Sequence, residues 1–176
     1  MTTIGFIGLG NMGLPMCQRL AAGNAEVVAF DLRAEAVDAV GAGAGAAGSA
    51  ADCAERANLL LTSLPRPDHV EAVMVSAGAL AALRPGSVWV DLTTNRRELV
   101  ERLVGEAPAG VSVVDAPVTG AVDGARNGRL TLFVGGESEV VDRVQPVLES
   151  LGLVIRCGPL GSGNVVKLVT NQLWFI

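Results

Sequence analysis

Residues 4–16 read IGFIGLGNMGLPM, and this stretch carries the strongest indication of the fold. An apolar run ends in three glycines with the spacing G-x-G-x-x-G, and a helix-forming segment follows. Glycines with this spacing, directly after a strand and at the start of a helix, permit a tight turn and let backbone N–H groups approach a pyrophosphate. The stretch therefore predicts a dinucleotide-binding turn. Its predicted cofactor-binding residues are Gly8, Gly10, Asn11, Met12 and Gly13.

The second apolar run ends in an acidic residue, Asp31. A carboxylate about 20 residues after the glycines accepts hydrogen bonds from the ribose hydroxyls of NAD and repels the 2′-phosphate of NADP. Asp31 therefore favours NAD, whereas Arg33, two residues later, leaves NADP as an alternative. In a purely structural interpretation the glycines only form a turn and Asp31 only caps the next helix. The combination of strand, glycines, helix, second strand and terminal acid favours nucleotide binding.

The rest of the chain alternates short β-branched runs with Ala- and Leu-rich helical stretches, which is typical of βαβ units. Most of the predicted strands are continuously apolar, as in a sheet covered on both faces. The fold class is therefore α/β, a Rossmann-type, doubly wound, mostly parallel sheet. The predicted strands are 3–7, 26–31, 59–63, 87–91, 112–118, 131–134 and 153–156. The predicted helices are 13–22, 34–40, 67–75, 96–105 and 139–149.

Residues 40–52, VGAGAGAAGSAAD, form the one low-complexity stretch. It is either a flexible linker or a helix end, a short third strand and the N-cap Ser49 of the next helix. The second alternative is favoured because compact domains seldom contain long loops without structure. We therefore predict a single dinucleotide-binding domain over residues 1–162.

Composition excludes several classes of partner. The net charge is −5, aromatic residues make up 3% and there is no tyrosine, so neither a basic face nor a stacking platform for nucleic acid is expected. No segment is long and apolar enough to span a membrane, and no targeting sequence begins the chain, which predicts a cytoplasmic protein. Cys17, Cys53 and Cys157 are widely separated, so we expect buried free cysteines and no metal site.

Three further segments follow predicted strands, at the edge of the sheet where dinucleotides bind. They contain Leu64 and Pro65, Thr93 and Thr94, and residues 115–121. The single histidine, His69, follows a PRPD sequence at the start of a helix, where a side chain faces solvent, so a catalytic role is not favoured. We interpret Asp91 and Asp115 as structural residues.

Lys167 is the only lysine in a chain that has twelve arginines. Arginine does not release a proton near neutral pH, whereas the pKa of a lysine in apolar surroundings falls far enough for proton exchange. Its neighbours, NVVKLVTNQLWFI, are apolar on nearly every side, which predicts a buried helix. Asn171 lies four residues later on the same helix face. A catalytic Lys167 is favoured over an ordinary surface lysine.

Three segments together resemble the β-hydroxyacid dehydrogenases, the family of 3-hydroxyisobutyrate dehydrogenase and tartronate semialdehyde reductase. They are GFIGLGNMGLPM, DAPVTGAVDGARNGRLTLFVGG and GSGNVVKLVTNQL, in the family's order and spacing. The resemblance implies that Lys167 is the catalytic lysine and that Asn171 assists it. It also implies substrate binding by Thr119, Gly120 and Ala121, and cofactor contacts by Leu64, Pro65 and Thr94.

Several positions depart from the family pattern. Thr119 replaces a serine, which adds a methyl group, and Ala121 replaces a glycine, which narrows the substrate site. The loop TTNRRE lacks the proline that commonly follows the family's fifth strand. Related imine reductases share the first segment but usually replace the lysine, so Lys167 argues against that branch.

The resemblance implies an oxidoreductase that transfers a hydride between NAD and a small 3-hydroxyacid, with Lys167 as general acid/base. Family members continue into a second, all-helical domain, so residues 163–176 are expected to begin an interdomain helix, with that second domain expected to be missing. Without it, the apolar end at Trp174, Phe175 and Ile176 would fray, fold back or pair with the same end of a second chain. We expect a homo-oligomer, formed through the missing C-terminal domain or through the exposed C-terminal helix. The alternative is a nucleotide-binding module without turnover. In either case the chain alone is expected to bind NAD and to turn over little substrate.

Overall fold

The computed structural model describes residues 2–173, which form one nine-stranded sheet with helices on both faces. The strands are β1 Thr3–Ile7, β2 Glu26–Phe30, β3 Ala44–Ala46, β4 Leu59–Thr62, β5 Val88–Asp91, β6 Ser112–Asp115, β7 Val118–Thr119, β8 Leu130–Gly135 and β9 Gly152–Gly158. The strand order is β3-β2-β1-β4-β5-β6-β8-β7, and β9 pairs with β8. Strands β1 to β6 pair in parallel, and β8 runs antiparallel to β6 and β7. The predicted doubly wound, mostly parallel sheet is confirmed.

The helices agree with the predicted ones in position but not always in length. They are α1 Gly13–Ala21, α2 Ala34–Asp38, α3 Ala50–Arg56, α4 Pro67–Glu71, α5 Ala79–Ala82, α6 Arg97–Glu106, α7 Ala121–Asn127, α8 Ser138–Glu149 and α9 Ser162–Leu173. The predicted helix 67–75 changes to π geometry over Ala72–Ser76. The short helices α5 and α7, of four and seven residues, were not predicted, because one or two turns contain too few residues for a helical pattern.

The core consists of two apolar layers, one on each face of the sheet. Successive side chains of a strand point to opposite faces, so Phe6 packs in one layer and Ile7 in the other. In β4 and β5 every residue is buried, as expected for central parallel strands. Trp89, fully buried in β5, is the largest side chain of the second layer. No helix within residues 2–173 is long and apolar enough to cross a membrane.

The low-complexity stretch is ordered rather than a linker. It contains β3, which pairs in parallel with β2, and Ser49, whose Oγ accepts a hydrogen bond from the Asp52 N–H at 3.0 Å. The predicted short strand and N-cap are therefore confirmed.

The predicted strand 112–118 was wrong in its second half. β6 ends at Asp115, and Val118–Thr119 forms a separate strand that pairs with β8. Pro117 lies between them and has no N–H to continue a ladder, although its carbonyl accepts a bond from the Phe133 N–H at 3.0 Å.

Two expectations about burial were also wrong. Helix α9 was predicted to be buried all round, but it buries one side and exposes Val165, Leu168, Val169 and Leu173. Cys157 is partly exposed, because it lies on β9 at the edge of the sheet, whereas Cys17 and Cys53 are buried as expected. The predicted exposed cluster Trp174, Phe175 and Ile176 lies outside the described residues.

Candidate dinucleotide and substrate site

The turn between β1 and α1 requires glycine at two positions for steric reasons. Gly8 has a φ of 96°, and a Cβ there would overlap the carbonyl oxygen of Ser63. A Cβ on Gly13 would overlap the carbonyl oxygen of Gly8. Gly10, in contrast, has open space around the position of a Cβ. The first and third glycines therefore close the turn, and the second leaves room for a ligand beside the backbone.

The turn leads directly into the N-terminus of α1. The first backbone N–H groups of a helix have no intrahelical acceptor, and the helix dipole places partial positive charge there. No acidic side chain lies in the first turn of α1, which is fully described. Asn11 is exposed and Met12 is half-buried beside this end. Open space, unpaired donors and positive potential suit the pyrophosphate of a dinucleotide.

Asp31 lies just after β2 and is bound to the glycine turn. Its carboxylate accepts hydrogen bonds from the N–H groups of Leu9 at 2.7 Å and Arg33 at 3.0 Å. Burial alone would raise the pKa of Asp31, but the bonds from Arg33 and Leu9 outweigh it, and the pKa lies below 3.8. Asp31 is therefore ionised near neutral pH and stabilises the turn itself.

Arg33 does not extend freely from this corner. Its Nε lies 3.2 Å from Asp31 Oδ1, and another guanidinium nitrogen donates to the Leu9 carbonyl at 3.1 Å. A guanidinium that is already paired with a carboxylate is less available to a 2′-phosphate. The sequence suggested Arg33 as a competitor of Asp31, and the structure makes the two residues partners.

The loops after β4 and β5 approach the glycine turn. The Leu64 N–H donates to Thr93 Oγ1 at 3.0 Å, and the Leu64 side chain would lie 2.9 Å from a Cβ on Gly8. Thr94 is half-buried next to Thr93, and Pro65 is exposed next to Leu64. The structure thus brings the predicted cofactor-binding segments together at the carboxyl edge of the sheet.

Asp91 is the buried centre of a hydrogen-bond network at the end of β5. It accepts bonds from the Thr62 hydroxyl at 2.9 Å, the Thr93 N–H at 3.1 Å and the Asn95 amide at 2.9 Å. Trp89 Nε1 donates to Thr62 Oγ1 at 2.9 Å. Burial raises the pKa of Asp91 and the hydrogen bonds oppose that rise. This arrangement agrees with the structural role predicted for Asp91.

Asp115, at the end of β6, is bonded to the start of α9. It accepts bonds from the Gly161 N–H at 2.7 Å, and from the Asn164 N–H and side-chain amide at 2.7 and 3.0 Å. The Asn95 N–H donates to Asn164 Oδ1 at 2.6 Å. Sequence reasoning missed Asn95 and Asn164, because an asparagine in a loop or helix carries no signal of a partner 69 residues away.

Lys167 is on the buried side of α9, with 9% of its surface exposed. Burial lowers the pKa of its amine below the usual 10.5. Asn171, one turn further along the same face, is half-buried. The amine and the amide therefore lie in a partly desolvated position on a helix that packs against β8.

The predicted substrate-binding residues lie in and directly after β7, which pairs with β8. Thr119 belongs to β7, which pairs with β8 opposite Thr131, and Gly120 has a φ of 127°. Ala121 has a φ of 53°, and it is the one residue other than glycine with a positive φ within residues 2–173. Left-handed backbone is unfavourable for alanine. Ala121 thus holds a backbone conformation that glycine adopts more easily.

His69 is partly exposed on α4, close to the solvent-facing position that was expected. Its Nδ1 is buried and lies 3.5 Å from a carboxylate oxygen of Asp68. Within residues 2–173, no group of three or more His, Cys, Asp or Glu side chains is placed to hold a metal ion.

Comparison with known proteins identifies the domain. Residues 3–159 match the family model of the NAD binding domain of 6-phosphogluconate dehydrogenase. The chain belongs to this family of NAD-binding domains. The chain therefore contains an NAD-binding Rossmann domain, to which the glycine turn, Asp31 and the strand order belong. NAD, the cofactor predicted from the sequence, is confirmed.

Curated relatives also confirm the resemblance to β-hydroxyacid dehydrogenases. In alignments 177 residues long, the chain is 38% identical to the NAD-dependent L-serine dehydrogenase and 40% identical to the 3-hydroxyisobutyrate dehydrogenase of Pseudomonas aeruginosa. Each match covers 98% of this chain and 59% of the relative. The solved 3-hydroxyisobutyrate dehydrogenase of Mycobacterium tuberculosis, with L-serine, is similar at a TM-score of 0.91 and 33% identity, over 99% of this chain and 60% of that one.

Proposed function

We propose that this chain provides the cofactor site and the acid/base lysine of an oxidoreductase that transfers a hydride between NAD and a small 3-hydroxyacid. The observation that carries the proposal is the buried Lys167 on α9, whose pKa is lowered by burial. The names of the relatives support the substrate class, because 3-hydroxyisobutyrate and L-serine both have a hydroxyl group on the carbon β to a carboxylate.

In the oxidation direction, the neutral amine of Lys167 accepts the proton of the substrate hydroxyl while the carbon that bears it loses a hydride. NAD, when bound, supplies the hydride acceptor. The alcohol is thereby oxidised by two electrons to a carbonyl compound. In reduction, the ammonium form of Lys167 returns the proton to the oxygen. Because burial lowers the pKa of Lys167, its neutral amine forms more readily than that of an exposed lysine.

The remaining predicted residues bind and orient the substrate in this proposal. Backbone N–H groups at Thr119 to Ala121 and the Thr119 hydroxyl hold the carboxylate. The Asn171 amide, on the helix face of Lys167, holds the reacting oxygen or the ammonium. Gly8, Gly10, Gly13, Leu64, Pro65 and Thr94 form the cofactor side.

Substitution of the lysine tests the proposal. In an intact, active enzyme, Lys167→Ala is expected to lower turnover by on the order of a hundredfold to ten-thousandfold, the usual loss for a positioned acid/base. NAD affinity, measured by calorimetry, is expected to stay nearly unchanged. Lys167→Arg is the matched control, because it keeps the charge and approximate length but does not exchange a proton near neutral pH. Near-normal turnover of either variant would contradict a catalytic Lys167.

A second candidate is an NAD-binding module without turnover. The exposed apolar side of α9 favours it, because such a side normally lies against another segment or chain. The chain spans 59% of the curated relatives' length. An assay for NADH formation with a panel of 3-hydroxyacids, run beside NAD calorimetry, separates the two candidates. Light scattering tests the accompanying expectation of a homo-oligomer.

A further inference from the structure

The start of α9 is capped by a side chain from a different element. The residue before the helix is Gly161, which has no side chain of its own to accept the free N–H groups. The carboxylate of Asp115, from the end of β6, accepts hydrogen bonds from the N–H groups of Gly161 and Asn164, both at 2.7 Å. In most helices the N-cap residue itself accepts the bond from the N–H three residues later. Here a strand 46 residues earlier in the sequence provides the acceptor.

The surrounding backbone leaves just enough space for this carboxylate. A Cβ on Gly163 would lie 2.9 Å from Asp115 Oδ2, and a Cβ on Gly135 would overlap Oδ1. The same Cβ on Gly163 would also overlap the carbonyl oxygen of Phe133. Glycine at both positions therefore permits α9 to begin directly against β8 and the carboxylate.

Asn164 connects the same helix to the cofactor side of the domain. Its Oδ1 accepts the Asn95 N–H at 2.6 Å, and the Asn95 amide donates to Asp91 at 2.9 Å. Asp91 in turn accepts the N–H of Thr93, whose hydroxyl accepts the N–H of Leu64. A continuous chain of hydrogen bonds thus extends from the loop beside the glycine turn to the first turn of α9.

The three side chains that form these hydrogen bonds at the start of α9 are buried. Asp115 and Asn164 are 0% exposed, and Asn95 is 1% exposed. Buried polar groups that are fully hydrogen-bonded hold the surrounding elements in one arrangement. Lys167 lies three residues after Asn164, so the two side chains are on the same side of the helix.

We propose that Asp115 and Asn164 are positioning residues, which fix the start of α9 and thereby hold Lys167 in its buried place. This inference rests on the proposed role of Lys167, but it concerns only where the amine of Lys167 lies. The burial of that amine can be followed through its pKa, without an assay of turnover.

Lys167 is the only lysine, so the protein offers a direct probe. Growth on ¹³C-labelled lysine gives a single side-chain signal, and its pH titration by NMR yields the pKa of Lys167. In the Asp115→Asn variant one acceptor oxygen becomes an NH₂ group that faces the helix N–H donors. The start of α9 should loosen and the amine should become more hydrated. The Lys167 pKa is then expected to rise toward its usual 10.5.

Asn164→Ala serves as the second variant if Asp115→Asn does not fold. It removes the bond to Asn95 but keeps Asp115 and its two backbone donors, so a smaller rise in the Lys167 pKa is expected. Hydrogen exchange should increase in α9 and stay unchanged in α3 in both variants.

Ser49→Ala is the matched control, because it removes an N-cap bond from α3, which carries no predicted site residue. It should destabilise the protein and leave the Lys167 pKa unchanged. The positioning role is refuted if Lys167 titrates as in the parent protein in whichever Asp115 or Asn164 variant folds. An active Lys167→Ala variant would instead refute the proposed function and leave the titration result standing.

Discussion

The left-handed backbone at Ala121 predicts that Ala121→Gly stabilises the protein. Alanine at a φ of 53° costs about 1–2 kcal/mol relative to ordinary backbone, and glycine removes most of that cost. Glycine also gives the unfolded chain more freedom, which costs about 0.4–1 kcal/mol. Ala121 is exposed, so little packing is lost. The net gain in the free energy of unfolding is about 0.5–1 kcal/mol, or a rise in Tm of about 1–4 °C for a domain of this size.

Urea unfolding and thermal scans measure this gain, and Ala39→Gly is the matched control. Ala39 is also exposed, but its φ is −69°, which alanine adopts without strain. Its replacement should therefore lower the free energy of unfolding, by about 0.5–1 kcal/mol. If Ala121→Gly destabilises as much as Ala39→Gly, the alanine at position 121 is not strained and the reasoning fails. The same variant should widen the predicted carboxylate site, so the KM for bulkier 3-hydroxyacids is expected to fall.

Three further predictions concern the cofactor turn. Asp31→Ala releases Arg33 from its ion pair, so NADP affinity should rise relative to NAD affinity in calorimetric titrations. In the double variant with Arg33→Ala that rise should disappear, and a persistent rise would exclude Arg33 as the phosphate ligand. Gly13→Ala should lower the free energy of unfolding by about 1–3 kcal/mol because the new Cβ overlaps Gly8, whereas Gly10→Ala should chiefly weaken NAD binding. Equal losses in the free energy of unfolding would contradict the open space at Gly10. The pKa of Asp31 in the folded protein is below 3.8, so its contribution to stability is present above pH 3.8 and is lost as the pH falls through the folded pKa. The loss in the free energy of unfolding caused by Asp31→Asn, measured with urea, should therefore shrink below pH 3.8. A loss that grows there would show that the pKa of Asp31 is raised, not lowered.

Some features of this protein follow from short segments of sequence. The spacing of Gly8 and Gly13 reflects their close contact within one turn, so it predicts the same turn wherever it occurs between a strand and a helix. Ser49 caps α3 through a bond to the N–H three residues later. The only lysine, in apolar surroundings, indicated the buried position of Lys167. In each case the interacting groups are close in the sequence, or the composition itself carries the signal.

Other features depend on residues that only folding brings together. Asp115 and Asn164 are 49 residues apart, and Asn95 and Asn164 are 69 apart, so no local pattern indicates their hydrogen bonds. The ion pair of Arg33 with Asp31 is local, but its bond to the Leu9 carbonyl requires β1 and β2 to be adjacent. Likewise, the apolar residues of α9 indicated a buried helix, but burial depends on which elements pack against it. Sequence alone therefore determined the NAD-binding fold and the catalytic candidate, whereas tertiary contacts decided how that candidate is held, because side-chain position depends on partners distant in the chain.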